Sequence, residues 1–428
     1  MRLLRARLWL ASSMWLPVLA ANLVGIALGL LLPKIDALAN TAVLPIALSS
    51  AEQIFGAVAA GMITFTGIVF SAVLVGAQIQ TSSYSPRLAA RLRRDRVVIM
   101  GLALPTATAS YSLFALAALG HEANQAGERT APAITVLTGL VLTFVTFAAF
   151  VALVQRAFDS TQIGGILRGL LKRSLQVVDQ AHPPSSESWH PDTIPVPDGA
   201  VLEIRHDGVA GVLASVDRDA LLRLARETGA FIEVIPVLGQ YVQRDAIVLR
   251  LRNSASKADA RLARRVLVLA RQRTLDQDPA FGLRIFVDIA IRALSPAVND
   301  PTTAVQALDP IEALLGELHG RNLGPSVVLA PDGTPMGVVP TPTWDDYLDL
   351  ALIEIRHYGA TSAQIARRLA ALYAHLLEIV DESERPRVRL EQELLAASLK
   401  AGFPDPRERE ILGRPDPLGL GAASTETR

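Results

Sequence analysis

The sequence predicts an α-helical membrane protein with four transmembrane helices and a cytoplasmic α+β domain. Half of its 428 residues are hydrophobic, and the mean hydropathy of +0.34 is too high for an ordinary soluble enzyme. Four stretches contain no Asp, Glu, Lys, Arg or His and are long enough to cross a bilayer core, which takes roughly 20 residues of helix. These spans are residues 15–32, 55–79, 97–119 and 133–154.

Basic residues beside the four spans predict the orientation of the chain, because cytoplasmic loops retain Lys and Arg. They are abundant before the first span, in the second loop and after the fourth span, whereas the first and third loops hold only Lys34 and Arg129. We therefore expect both termini and everything after Val154 to be cytoplasmic. The abundant sets are Arg2, Arg5 and Arg7; Arg87, Arg91, Arg93, Arg94 and Arg96; and Arg156, Arg168, Lys172 and Arg173.

The first span could also be interpreted as a cleavable signal peptide, since it follows a basic segment and contains the small residues Ala20 and Ala21. A retained helix is the better interpretation. Its apolar run continues through Gly25–Gly29, beyond any such cleavage point. In addition, Trp9 and Trp15 lie where interfacial anchors are found.

After a transmembrane domain of residues 1–160, an amphipathic juxtamembrane helix is predicted over residues 161–181. Its apolar residues recur at helical spacing, with Arg168, Lys172 and Arg173 on the other side, so we expect it to lie on or to leave the inner leaflet. Residues 182–199 contain five prolines, which is typical of an extended linker. The apolar set is Ile163, Ile166, Leu167, Leu170, Leu171, Leu175 and Val178.

Residues 200–403 are predicted to form the cytoplasmic α+β domain. A short helix over 219–228 ends at Gly229, and a hairpin is expected over 327–339. β-branched and apolar residues bounded by turn residues indicate the strands. The predicted strands are 201–206, 211–216, 231–235 and 247–252.

From Lys257 onward the pattern of the domain is mostly helical. Three Asp-Pro pairs each predict the start of a helix, because Asp caps a helix and Pro fits its first position. Thr343 opens another helix in near capping-box form. The composition of residues 404–428 predicts a disordered tail. The pairs are Asp278-Pro279, Asp300-Pro301 and Asp309-Pro310, and two further helices are predicted over 362–380 and 386–400.

Two long motifs connect the chain to a known family. One runs through Phe70–Gln78 and Ser82–Leu88, and the other through Phe281–Arg284 and Val287–Val305. In these residues the sequence resembles the bacterial predicted membrane protein family known as domain of unknown function 2254, and the resemblance extends over nearly the whole chain. The family implies four spans and a cytoplasmic C-terminal domain, and hence a location in the bacterial inner (plasma) membrane. It supplies no established activity.

Small and polar residues form one stripe along the second span, at spacings of three, four or seven residues. Such a stripe is typical of helix packing within or between subunits. It could instead line a water-filled path in a homo-oligomer. Because no predicted span contains an ionisable residue, proton relays, voltage sensors and most ion-coupled carriers are disfavoured. This second-span stripe comprises Gly56, Ala60, Thr64, Gly67, Ser71 and Gln78.

A second candidate site lies in the soluble part, where Arg284, Asp288 and Arg292 recur every four residues on one side of a predicted helix. They could form an ion-pair ladder, which is the commoner arrangement. They could instead bind a small anionic ligand, with help from the N-terminus of the next helix or from a cation on the carboxylates. The residues at that N-terminus are Asn299, Asp300, Thr302 and Thr303.

Composition argues against several classes of function. Lys+Arg and Asp+Glu number 41 each, so no positive field gathers nucleic acid. Cysteine is absent, which removes disulfides, thiolate metal sites and cysteine nucleophiles, and no phosphate-loop, dinucleotide or hydrolase motif occurs. We therefore predict no catalytic residue, metal or cofactor. Two functions remain: a homo-oligomeric channel-like protein gated by its cytoplasmic domain, or a membrane-tethered ligand-binding or signalling module without transport activity.

Overall fold

The computed structural model describes residues 15–39, 47–83, 96–123, 131–161, 163–183, 196–254, 260–414 and 416. The chain divides into two compact units, Met1–Ile163 and Gly164–Arg428. In the described part of the first unit, four helices are long and apolar enough to cross a membrane, as predicted. They are α1 (Trp15–Ala39), α2 (Leu48–Ser83), α3 (Arg96–Ala123) and α4 (Ala133–Thr161).

The helix α3 is the centre of the first unit and packs against α1, α2 and α4. Half of its candidate span is buried, against 22% or less in the other three. Phe55 of α2 meets Tyr111 of α3 edge-on, with ring centroids 6.1 Å apart. The Tyr111 hydroxyl donates to the Thr135 carbonyl of α4 at 2.6 Å, so the one polar atom of this buried ring has a partner.

The helix α1 is longer than the predicted first span. Its candidate membrane span runs over Trp15–Leu38 and contains Lys34, which is exposed, and Asp36, which is 5% exposed. The expectation that no span holds an ionisable residue is therefore wrong. The prediction stopped at Leu32 because a proline and a charge follow, yet α1 continues through Pro33.

The second unit contains two sheets. A five-stranded sheet has the order β1-β5-β3-β8-β7, and a three-stranded sheet has the order β4-β2-β6. All neighbours are antiparallel except β3 and β8. The strands are β1 (Val201–Arg205), β2 (Gly211–Val216), β3 (Phe231–Val234), β4 (Tyr241–Val242), β5 (Ile247–Arg252), β6 (Leu267–Ala270), β7 (Ser326–Leu329) and β8 (Pro335–Val339).

Helices complete the second unit. The helix α6 packs on the sheets, where Leu221 and Leu224 join buried residues of β3 and β5 in one core. The helices α8 to α12 pack on one another in a separate layer. The helices are α5 (Ile163–Ala181), α6 (Arg218–Thr228), α7 (Ala260–Val266), α8 (Pro279–Ala293), α9 (Pro301–Leu318), α10 (Trp344–Gly359), α11 (Ala363–Ile379), α12 (Arg385–Gly402) and α13 (Pro406–Leu412).

Local capping signals proved reliable at three helix starts. The Asp278 carboxylate accepts from the Phe281 N–H at 3.1 Å at the start of α8, and Asp300 caps α9 in the same way. Thr343 and Asp346 form a complete capping box on α10. The predicted early strands, the helix α6 and the β7–β8 hairpin are confirmed as well.

Three predictions of secondary structure in the second unit differ from the structure. The pair Asp309-Pro310 lies inside α9 and starts no helix, because the Asp309 carboxylate pairs with Arg368 of α11 at 3.0 Å. Within the region predicted to be helical, Leu267–Ala270 forms β6, which pairs with β2. In the segment predicted to be disordered, Asp405 caps the short helix α13; residues 417–428 lie outside the described residues.

The amphipathic helix α5 packs on the second unit by its apolar side. Its side chains Leu167, Leu170, Ser174, Val177 and Val178 are buried. A side chain on Gly282 of α8 would place its Cβ 2.5 Å from the Ser174 hydroxyl oxygen, so the two helices approach closely at this glycine. The pattern predicts an amphipathic helix correctly, but this side of the helix contacts protein and is not available to the leaflet.

The division between the two units falls at Gly164, earlier than the linker predicted over residues 182–199. His182, the first residue of that linker, is only 4% exposed and belongs to the second unit. Residues 184–195 lie outside the described residues, as do Trp9 and many of the basic residues that predict the orientation. These are Arg2, Arg5, Arg7, Arg87, Arg91, Arg93, Arg94 and Arg129.

Candidate functional site

The helix α2 packs against its own unit along one side only. Phe55 contacts α3, Phe65 contacts Phe150 of α4 at a centroid distance of 4.8 Å, and Val69 lies in a small cluster with α3 and α4. Buried residues recur at helical spacing along this side. They are Ala51, Phe55, Ala59, Met62 and Val69.

The second-span stripe lies on the opposite side of α2. At 3.6 residues per turn, Thr64 and Ser71 point roughly 160–180° away from Met62. Five of the six stripe residues are exposed and Gly56 is half-buried, while Gln53, outside the predicted set, is exposed in line with Ser71. The exposed five are Ala60, Thr64, Gly67, Ser71 and Gln78.

Glycines on α2 have empty space in front of them. A Cβ built on Gly56, Gly61, Gly67 or Gly76 would meet no atom within 4 Å. The Thr64 hydroxyl needs no neighbouring helix either, since it donates to the Ala60 carbonyl of its own helix at 3.2 Å. Within the described part of one chain, the stripe therefore packs against nothing.

Close packing by glycine occurs on α1 instead. A Cβ on Gly25 would lie 2.4 Å from the Ala107 carbonyl oxygen of α3, and one on Gly29 would lie 2.7 Å from the Tyr111 carbonyl oxygen. Only glycine allows the two backbones to come this close. This contact was not predicted, although the spacing Gly25-x-x-x-Gly29 is the usual signal for it.

Polar side chains fasten the same pair of helices. The Asn22 amide of α1 donates to the Thr106 hydroxyl at 2.9 Å, and the Ser110 hydroxyl of α3 donates to the Asn22 carbonyl oxygen at 2.7 Å. Hydrogen bonds of this kind hold helices together in lipid, where water is absent. Asn22, which interrupts the apolar run of the first span, thus has a structural role.

Asp36 of α1 caps the N-terminus of α4. Its carboxylate accepts from the Ile134 N–H at 3.2 Å and from the Thr135 N–H and hydroxyl at 2.8 and 2.7 Å. Its negative charge also complements the positive end of the α4 dipole. The residues before α4, Ala131 and Pro132, have no side-chain acceptor that could do this. Helix capping therefore explains Asp36, the buried one of the two ionisable residues in the candidate span of α1.

In the second candidate site, the Arg284 guanidinium is bound by two carboxylates. Its Nε lies 2.9 Å from Asp288 on the same helix, and its terminal nitrogens contact both oxygens of Glu354 on α10. The hydrogen bond from Glu354 raises the pKa of Arg284, with Asp288 adding to the effect. These ion pairs join α8 to α10 and correspond to the first of the two interpretations, an ion-pair ladder. The participation of Glu354 was not predicted.

The turn between α8 and α9 brings together the remaining predicted residues of that site. Asn299 has a left-handed backbone with φ of 48°, which Asn tolerates. Asp300 accepts from the Thr303 N–H at 3.1 Å and so occupies the N-terminus of α9 with its own carboxylate. Thr302 is exposed and Arg292 is half-buried. The anionic-ligand interpretation of this region stays a prediction.

Metal chemistry finds no support in the part of the chain that the structure describes. No group of three or more His, Asp or Glu side chains there is placed to hold a metal ion. The described fold is that of a membrane protein with four candidate spans followed by an α+β unit. The chain belongs to the family described as "Predicted membrane protein (DUF2254)", whose model matches residues 11–375.

Two mycobacterial relatives extend this result. Uncharacterized proteins of Mycobacterium bovis and Mycobacterium tuberculosis are each 31% identical to the chain over 380 residues, which covers 86% of this chain and 71% of theirs. No solved structure matches the chain. The resemblance found from the two sequence motifs is thereby confirmed. The family brings no activity with it, so the function has to be argued from the geometry.

Proposed function

We propose that the protein is a homo-oligomeric, channel-like protein of the bacterial inner membrane. In this proposal α2 from each copy faces the centre of the assembly, and the second-span stripe lines a path for a small solute. The α+β unit lies on the cytoplasmic side, as the alternating basic residues predict, and gates the path. The observation that carries the proposal is that the stripe lies on the side of α2 opposite to the one packed against its own chain.

Comparison with α4 supports a role for this side of α2 other than contact with lipid. The outward side of α4 carries bulky apolar residues, as a lipid-facing helix should: Val141 is 51% exposed and Phe144 is 75% exposed. On the outward side of α2 the stripe offers glycine, alanine, threonine and serine, flanked by exposed bulky residues, which are Ile63, Ile68, Leu74 and Val75. Small residues give little apolar surface to lipid and allow close approach of another helix or of water.

The absence of cysteine from the sequence makes a direct test possible. In membranes, oxidation should join copies through single cysteines introduced as Thr64→Cys and Ser71→Cys. The matched control is Val141→Cys on the outward side of α4, which should give no cross-link. A charged, membrane-impermeant thiol reagent should also modify the two stripe cysteines, because water reaches a path but not a lipid-facing residue.

Each outcome of this test decides between the alternatives. Cross-links together with modification support the path. Cross-links without modification mean that the stripe is a dry interface between copies, which contradicts the channel and favours a membrane-tethered binding or signalling module. If both stripe cysteines give no more cross-linked product than the control Val141→Cys, the proposed arrangement of α2 is contradicted.

A further inference from the structure

The helix α5 has a basic side that its packing on the second unit leaves in solvent. The buried residues of α5 lie on one side, and Arg168 and Lys172 lie roughly 120–170° away from the middle of that side at 3.6 residues per turn. Both side chains are exposed. From Ile163 to Val178 the sequence has no Asp or Glu, so the charge of this stretch is entirely positive.

Other charged residues of α5 have partners within the second unit. Arg173 lies 2.9 Å from Asp276, and Asp179 lies 2.8 Å from Arg321. Arg168 and Lys172, by contrast, form no ion pair with any residue that the structure describes. Among the described residues, the charges of Arg168 and Lys172 are therefore exposed to solvent.

Chain connectivity allows these two residues, about 7.5 and 13.5 Å along α5 from Ile163, to lie close to the membrane surface when α5 runs parallel to it. The candidate span of α4 ends at Arg156, and Thr161 lies about 7.5 Å further along the helix. A single residue separates Thr161 from Ile163, so α5 begins within about 7.6 Å of the end of α4. The polar headgroup layer is about 5–8 Å thick, and the field of an acidic leaflet extends about 8–10 Å beyond it.

We propose that Arg168 and Lys172 bind the phosphates of acidic phospholipids in the leaflet at which α4 ends. The Arg guanidinium can donate two parallel hydrogen bonds to a phosphate, and the Lys ammonium adds a point charge one turn away. The apolar side of α5 is already buried in protein, so the helix contacts the leaflet by charge alone and does not insert. Each basic residue near the surface should contribute about fivefold in lipid preference.

A fluorophore on the same side of α5 can report this contact in the full chain. Because the sequence has no cysteine, Gln176→Cys, one turn beyond Lys172 and exposed, provides the single labelling position. The labelled protein is placed in nanodiscs whose quencher is attached to the headgroup of phosphatidylglycerol or of phosphatidylcholine at equal content. We expect quenching by phosphatidylglycerol to exceed quenching by phosphatidylcholine several-fold, and the excess to fall at 0.5–1 M salt, roughly as screening requires.

The double substitution Arg168→Gln with Lys172→Gln should abolish this preference. The matched control, Arg223→Gln with Arg226→Gln, removes two exposed basic residues from α6 and should leave it unchanged. Equal quenching by the two lipids in the parent chain would overturn the proposal. So would a preference that survives the α5 substitutions, or one that the α6 substitutions reduce equally, since a nonspecific effect of net charge would then explain the data.

Discussion

A buried imidazole, that of His182, links the end of α5 to α10. Its Nε2 lies 3.2 Å from the Tyr347 hydroxyl, and the ring is 4% exposed. Burial lowers the pKa of His182 to about 4, with the charges of Arg321 and Arg218 adding to the effect and a hydrogen bond with the Asn322 backbone opposing it. The ring is therefore neutral in the folded protein at neutral pH.

This lowered pKa makes stability depend on pH. The unfolded chain, in which His182 has its usual pKa of 6.5, binds a proton that the folded chain does not accept until about pH 4. The contribution of neutral His182 to the free energy of unfolding is therefore fully present above pH 6.5. It decreases as the pH falls, by about 3 kcal/mol at pH 4. The thermal unfolding midpoint of the full chain in detergent should fall more steeply over this range than that of His182→Gln.

The matched control for this measurement is His357→Gln, which alters an exposed histidine of α10. It should keep the pH dependence of the parent chain. Identical slopes for the parent chain and His182→Gln would contradict the assignment of this pH dependence to His182. A histidine at the start of a proline-rich segment carries no sequence signal of burial, which is why it was placed in a linker.

Single residues also mark how far local signals can be trusted. The pairs Asp278-Pro279 and Asp300-Pro301 start helices, whereas Asp309-Pro310 does not. All three look alike in the sequence. Asp309 differs because Arg368, 59 residues later, supplies its partner. The same holds for Asp36, whose partners on α4 are about a hundred residues away.

At the scale of elements, the pairing of α1 with α3 depends on the absence of two side chains. Gly25→Ala should destabilise the protein by about 1–3 kcal/mol, because the new Cβ meets the Ala107 backbone and the helices must move apart. Gly61→Ala, on the open side of α2, should be neutral or stabilising. The thermal unfolding midpoints of the two variants in detergent compare these effects directly. Equal loss in both variants would reject close packing at Gly25 as the cause.

The elements predicted least well are those whose conformation or contacts depend on residues distant in the sequence. Leu267–Ala270 becomes β6 because it pairs with β2, more than fifty residues earlier in the chain. A sequence shows the same apolar pattern for α5 whether that side contacts lipid or protein. The close approach of Ser174 to Gly282 of α8 shows that it contacts protein. In the second-span stripe, periodicity predicted the members. It could not predict that their own chain packs on the opposite side.

At the scale of the whole molecule, the number of copies tests the proposed function. Four helices of one chain can hardly enclose an aqueous path, whereas a closed ring of chains can. Native mass spectrometry of the protein released from lipid nanodiscs should therefore show a cyclic assembly of three or more copies. A monomer would contradict the proposal and direct attention to the second unit as a tethered module.

A matched pair of variants tests whether the number of copies in the assembly depends on the second-span stripe. Thr64→Leu with Ser71→Leu places bulk on the outward side of α2 and should lower the number of copies, because small residues permit the close approach. Val141→Leu, on the outward side of α4, should leave the number unchanged. An assembly that is insensitive to both changes would have to be held together by other surfaces.

The carboxylate that caps the N-terminus of α4 is Asp36 of α1, and this affects the order in which contacts form during synthesis. Asp36 and Thr135 are 99 residues apart, so at about 5–20 residues per second the ribosome makes α1 roughly 5–20 s before the amides that Asp36 binds exist. During that interval the Asp36 carboxylate lacks its partners on α4, whereas Gly25 and Gly29 gain theirs earlier, when α3 is made. The polar contacts of the first helix are therefore complete only after the fourth helix has been synthesised.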